Sequence, residues 1–153
     1  MLETKDYYFM NQALIQAQKA FKEDEVPVGA IVVDIEGKII GRGYNQVEKK
    51  HQQLAHAEVN AIAQACKKRG DWRLDGCWLY VTLEPCMMCM GLIRLSRLQG
   101  VVFGTKSKLF GYQLDKEGQI SLYNKDIEIK EGILAQEAAD ILKQFFKQKR
   151  KIE

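Results

Sequence analysis

Two short stretches constrain this chain more than any other feature: His56-Ala57-Glu58, and Pro85-Cys86-Met87-Met88-Cys89 further along. Cysteine sulfur and histidine nitrogen are ligands that zinc takes in tetrahedral geometry. Two cysteines three positions apart, just after a proline suited to a first helical turn, offer both thiols from one helix N-terminus. There the unpaired backbone N–H groups and the helix dipole favour thiolate. His56 also falls near the start of an apolar-periodic segment. A fold that uses both stretches together must bring two helix N-termini to one point.

The ligand count is informative. A structural zinc site is closed by four protein ligands, whereas a catalytic one keeps a position for water. His56, Cys86 and Cys89 are three candidates, and the sequence offers no convincing fourth. Cys66 and Cys77 lie in apolar-periodic surroundings and read as small core residues. His51, in a polar stretch before the helix, is a rival ligand that reads more simply as a solvated loop residue. Zinc held by two thiolates and one imidazole is formally neutral, so it acidifies water less than a three-histidine site does. Such a site benefits from a nearby base, and Glu58 is the candidate. Positions i and i+2 do not share a helix face, so the metal must lie off the helix end. A lone C-x-x-C is a weak signal; H-x-E followed by P-C-x-x-C is a strong one.

Length and composition set the frame. The 153 residues suffice for one domain with a real core, taken as 1–153. No apolar run approaches the ~20 residues of a membrane helix, and the polar start MLETKDYYFMNQ is no signal peptide. A cytoplasmic chain with no membrane partner is expected. The net charge of +3 is too small to declare nucleic-acid binding, although the tail FFKQKRKIE is locally basic.

Periodicity predicts a helix over 6–23, a hairpin of strands 28–34 and 39–44 around the turn Ile35–Lys38, and a polar loop over 45–53. It then predicts a helix over 54–69 stopped by Gly70, a buried central strand over 77–83, and a helix over 86–95 with Pro85 in its first turn. A strand over 100–104 and an irregular stretch over 105–125 follow. A fifth strand over 126–130 and a final amphipathic helix over 131–149 complete the chain. This order predicts an α/β fold of three layers, α-β-α, with a mixed five-stranded sheet covered by helices on both faces.

The paired motifs resemble the signature of the zinc-dependent cytidine/deoxycytidylate deaminase superfamily. EVPVGAIVV (Glu25–Val33), LYVTLEPCMMCMG (Leu79–Gly91), VVFG (Val101–Gly104) and EGILAQEAADILKQFF (Glu131–Phe146) are more narrowly similar to bacterial tRNA-specific adenosine deaminases, and the likeness runs from Tyr7 to Arg150. The resemblance implies a cytidine deaminase-like fold and hydrolytic conversion of the wobble adenosine of an arginine tRNA to inosine. It implies one zinc per subunit on His56, Cys86 and Cys89, where water is activated to attack C6 of a flipped-out adenine. Glu58 is then the proton carrier, from water to N1 and to the leaving ammonia. Asn45 is implied to hold the nucleotide, and Val28 with the backbone around Ala57, Leu83 and Glu84 to line the adenine pocket. The plainer readings are core packing for Val28 and Leu83 and a turn for Asn45. A homodimer packed near Met87, Met88 and Met90 is also implied.

The sequence departs from that family in places. Gln46-Val47 follows Asn45 where the family has Arg-Pro, and Gln52-Gln53 stands in place of an Asp-Pro pair. Ser107 occupies the position of an acidic residue near the substrate ribose, and accepts a hydrogen bond from a 2′-OH more weakly than a carboxylate does. The stretch 108–125 lacks the family's Gly-rich run. Phe146, Lys147, Lys149 and Arg150, together with Lys143 and Lys151, are expected to meet the anticodon stem-loop, with Phe145 packed inward. Two rival readings share the motif: a deaminase of small nucleobases or nucleotides such as guanine or cytosine, and a zinc-stabilised binding module without chemistry. Glu58 and the missing fourth ligand argue against the module; the EGIL…FF segment and basic tail argue against the small-molecule enzyme.

Overall fold

The apolar run Trp78–Leu83 becomes the middle strand of a five-stranded sheet, as its near-continuous hydrophobicity demands. A computed structural model describes residues 2–114 and 127–152 of the chain. In chain order the elements are α1 (Leu2–Lys22), β1 (Gly29–Val33), β2 (Ile39–Tyr44), α2 (Val47–Lys50) and α3 (Ala57–Arg69), then β3 (Trp78–Leu83), α4 (Met87–Leu95), β4 (Gly100–Thr105), β5 (Glu128–Glu131) and α5 (Ala135–Ile152). The strands lie in the order β2-β1-β3-β4-β5. β1 is antiparallel to β2 and β3, whereas β3, β4 and β5 run parallel, so the sheet is mixed as expected.

Alternation along the strands produces the layers. Ile31, Val33, Tyr80 and Val102 face α1, where Phe9, Met10 and Ala13 cover them. Ala30, Val32, Leu79, Val81, Val101 and Phe103 face the other way and are covered by Ala57, Ala61 and Ile62 of α3 and Met90 and Ile93 of α4. α5 joins the α1 layer through Phe145, whose ring meets Phe21 edge-on at 6.0 Å. Phe145 is buried, as expected, while Phe146 stays exposed. Asp6 ties the α1 layer to the sheet: it accepts the Tyr80 hydroxyl at 2.7 Å and pairs with Lys130 Nζ at 3.3 Å.

Small residues set the distance between α3 and the sheet edge. A Cβ on Gly41 would stand 2.2 Å from the Ala61 carbonyl oxygen, and one on Gly43 would stand 2.5 Å from the Ala57 oxygen. Helix and strand backbones therefore touch directly along this seam.

Several boundaries differ from expectation for identifiable reasons. α1 begins at Leu2 rather than Asp6. The polar loop 45–53 holds the short helix α2, closed by His51 in the left-handed region at φ 55°. α3 begins at Ala57, not Leu54, because His56 is extended (ψ 154°) and gives its N–H to the Leu54 oxygen. Pro85 precedes the Cys86 cap of α4 instead of occupying the first turn. β5 runs from Glu128 to Glu131 and takes the start of the predicted last helix. Gly132 (φ 86°) and Leu134 (φ 53°) then turn the chain before α5 begins at Ala135. Of the irregular stretch 105–125, the described part contains a 3₁₀ turn at Tyr112–Leu114; positions 115–125 lie outside the described residues.

Candidate metal centre and active site

Both predicted ligand groups start at helix caps. His56 is the N-cap of α3 and Cys86 the N-cap of α4, each with extended backbone and neither side chain making a capping hydrogen bond. A cap side chain left out of capping is free to point off the helix end. Cys89, one turn into α4, points to the same place and is fully buried. His56 Nδ1 lies 3.7 Å from Cys86 Sγ and 3.5 Å from Cys89 Sγ, and all three donor atoms fall within 4.8 Å of one another. With zinc–sulfur and zinc–nitrogen bonds of about 2.3 and 2.0 Å, a tetrahedron has N–S edges of about 3.5 Å. The three side chains thus fit a tetrahedral ion. Among the described residues no fourth ligand joins them, and His51, the rival, is exposed and outside the group.

The electrostatics follow from the caps and from burial. Cys86 is pulled down to about 4, first by a hydrogen bond from the Cys89 thiol and then by the one to His56. Cys89 is pushed up by the same pairing, because one proton is shared between two sulfurs. His56 is raised, chiefly by its contact with Cys86. Its Nε2 stands 3.4 Å from Gln53 Oε1, which suits the tautomer with Nδ1 facing the sulfurs.

Glu58 is the second residue of α3 and only 4% exposed. Burial raises its carboxyl most, and the total reaches about 7; its own backbone N–H opposes the rise, and the negative Cys86 adds to it. The neighbouring Cys89 thiol opposes the rise. Placing His56 at the cap and Glu58 inside the first turn resolves the i, i+2 problem: the two side chains converge beyond the helix end.

The remaining predicted residues fall into four groups. Ala57 is buried under the sheet, and Val28 packs against the same core; Leu83 closes β3, half-buried. Asn45 is buried, donating through Nδ2 to the Val26 oxygen at 3.1 Å and accepting from Val47 N–H at 3.2 Å. Ser107 is half-buried, and its hydroxyl oxygen accepts from Phe110 N–H at 3.2 Å. In the tail, Phe146, Lys147 and Arg150 are exposed, whereas Lys149 pairs with Asp24 at 2.7 Å.

Two side-chain roles lay outside the sequence expectations, which named Glu84 only for its backbone. Glu25 is buried at 1% exposure, and its oxygens accept Glu48 and Lys49 N–H at 2.9 and 2.8 Å, fixing the start of α2. The Glu84 side chain does the same for the segment after β4. Their only sequence signal is a carboxylate next to an apolar strand, with no indication of its partners.

A mixed sheet of this order, with two helix caps aiming cysteine and histidine ligands at one point beside a buried carboxylate, defines the nucleobase-deaminase class. The family model of the MafB19-like deaminases matches residues 4–150. The chain is 43% identical over 150 residues to the tRNA-specific adenosine deaminase of Bacillus subtilis strain 168, spanning 97% of this chain and 92% of that one. A solved structure from work on A-to-I editing by tRNA:A34 deaminases at the wobble position of transfer RNA matches with TM-score 0.78 and 33% identity, over 88% of this chain and 98% of that one. The guanine deaminase of Nitrosomonas europaea superposes with TM-score 0.82 at 25% identity, over 91% of this chain and 83% of that one. The chain belongs to the MafB19-like deaminase family and, within it, to the tRNA-specific adenosine deaminases.

Proposed function

We propose that this chain hydrolyses the 6-amino group of adenosine at the wobble position of a tRNA anticodon, giving inosine and ammonia, with an arginine tRNA as substrate. The observation that carries the reading is the three-ligand group at tetrahedral spacing with Glu58 buried beside it. His56, Cys86 and Cys89 would hold zinc, one per chain. Bound there, zinc supplies the acidity that makes water nucleophilic at neutral pH.

The chain's own residues supply the rest. Glu58, on the first turn of α3 and shielded from solvent, takes one proton from the water and gives it to N1, then takes the second from the new C6 hydroxyl and gives it to the leaving amine. Asn45 orients the nucleotide with the half of its amide that the Val26 and Val47 bonds leave over. Val28 and the backbone at Ala57, Leu83 and Glu84 form the adenine wall. Ser107 keeps its hydroxyl proton for a ribose oxygen, since its lone pair already serves Phe110. Phe146, Lys147 and Arg150 present an aromatic ring and two cations to the anticodon stem-loop.

We also infer a cytoplasmic homodimer, with 1–153 as one domain. No described helix is long and apolar enough to cross a membrane. On α4, Met90 is core, while Met87, Met88 and Leu95 are exposed at 44%, 41% and 75%, an apolar face suited to a second copy. A monomer by light scattering at micromolar concentration overturns the dimer.

The test is direct. Purified protein is incubated with an arginine tRNA bearing an ACG anticodon, and inosine is read at the wobble position. Free guanine, cytosine and adenosine are run beside it. Inosine in the tRNA is expected; turnover of a free base alone overturns the reading in favour of the small-molecule deaminase, whose fold this chain shares.

A further inference from the structure

Glu84 is a buried carboxylate whose observed partners are main-chain amides. It is 4% exposed; Oε1 accepts Ser107 N–H at 3.1 Å and Oε2 accepts Gln113 N–H at 2.9 Å. The two amides bracket the segment 107–113, so one side chain holds both ends of one loop. The loop is shaped to receive it. A Cβ on Gly111 would stand 2.4 Å from Glu84 Oε1, so only glycine lets the carboxylate lie against that backbone.

The same loop is joined to the metal centre. Gly111 forms an isolated bridge with Cys86, the ligand that caps α4, and Tyr112 N–H bonds to the Pro85 oxygen at 3.0 Å. The Tyr112 ring is fully buried edge-on to Phe103. Between these fixed points the loop turns outward, and Leu109 and Phe110 stand 78% and 74% exposed. An aromatic ring offered to solvent next to a nucleotide site is a stacking platform for an unpaired base.

We propose that Glu84 is a positioning residue that clamps the segment 107–113 against the α4 cap and so holds the Leu109–Phe110 turn as a binding wall for the polynucleotide. This rests on the tRNA reading above. Its action runs through the loop, so it governs how well the substrate is held rather than the chemical step.

Glu84→Gln keeps the volume but sets an NH₂ group against one of the two N–H donors, so one hydrogen bond gives way to a donor–donor clash. Gly111→Ala disturbs the same pairing from the loop side and serves if the first variant does not fold. Three quantities are measured in each: zinc content, hydrogen exchange of the Ser107 and Gln113 amides, and KM and kcat on an anticodon stem-loop. Zinc is expected to be retained, the two amides to exchange about tenfold faster or more, and KM to rise about tenfold with kcat within a few-fold of the parent. The two substitutions together should cost less than the product of their separate effects, because they break one and the same interaction. Unchanged exchange overturns the clamp. A fall in kcat at constant KM, or loss of zinc from a folded variant, overturns the proposed mode of action. A parent protein inert on tRNA would refute the tRNA reading and the polynucleotide wall alone, since the exchange measurement tests the clamp without substrate.

Discussion

Lys149 Nζ stands 2.7 Å from Asp24 Oδ2, and this ion pair ties α5 to the turn that ends α1. The cation nearest the molecule's body in the basic tail is therefore already engaged, while Lys147 and Arg150 are open to solvent. Lys149 also lies 5.6 Å from the centre of the buried Phe145 ring.

The tail should therefore divide when it is neutralised. Replacing Lys147 and Arg150 is expected to weaken tRNA binding and to lower the slope of log K against log salt by about 0.7–0.9 for each phosphate left without its cation. Lys149→Ala should change that slope less. An equal slope in the parent and the Lys147/Arg150 variant would remove the tail from the RNA interface.

Removal of the metal is expected to abolish activity and to free the Cys86 thiolate. Cys86 should resist a thiol reagent in the metal-loaded protein and react after chelation, while the buried Cys89 stays slow. Elemental analysis should find about one zinc per chain in the parent and almost none in Cys86→Ala, whose two remaining ligands no longer make a site. A Cys86→Ala protein that keeps its metal and its activity would exclude the ligand set.

Glu58→Gln retains the shape of the side chain and removes its proton chemistry. Activity should fall by about 10²–10⁴ while zinc stays bound, as expected for loss of a general acid–base group. Wild-type turnover by this variant would assign proton transfer elsewhere.

Gly43→Ala inserts a Cβ 2.5 Å from the Ala57 oxygen, at the turn of α3 that carries Glu58. Overpacking of this kind destabilises by about 1–3 kcal/mol. Urea denaturation should show that loss, and residual activity at a temperature where the variant is fully folded should also be reduced, because the first turn of α3 must shift.

The metal group and the layering were legible because each depends on residue type and period. His56, Cys86 and Cys89 announce themselves by chemistry, and the strands around Ile31 and Val81 by β-branched runs. The start of the last helix was not legible: Glu131 to Leu134 carry helical periodicity, and pairing with β4 overrides it through Phe103 and Glu131. Nor were the roles of Glu25, Gln53 and Glu84. Gln53 meets a ring nitrogen three residues on, whereas the partners of Glu25 and Glu84 are backbone amides in other segments, and no spacing rule connects a carboxylate to a main-chain N–H 29 residues away.

The glycine seam under α3 has a consequence for descent. Where two backbones touch at Gly41 and Gly43, there is no side chain left to trim and none that can be added without displacing the helix. Any lineage that keeps the seam inherits His56 and Glu58 at fixed positions relative to the sheet. New substrates must then be acquired through the connecting segments at 45–56 and after β4, where Gln53, Ser107 and Phe110 stand. The position of the reacting groups is held by the glycine seam, and the choice of what reacts is left to the loops.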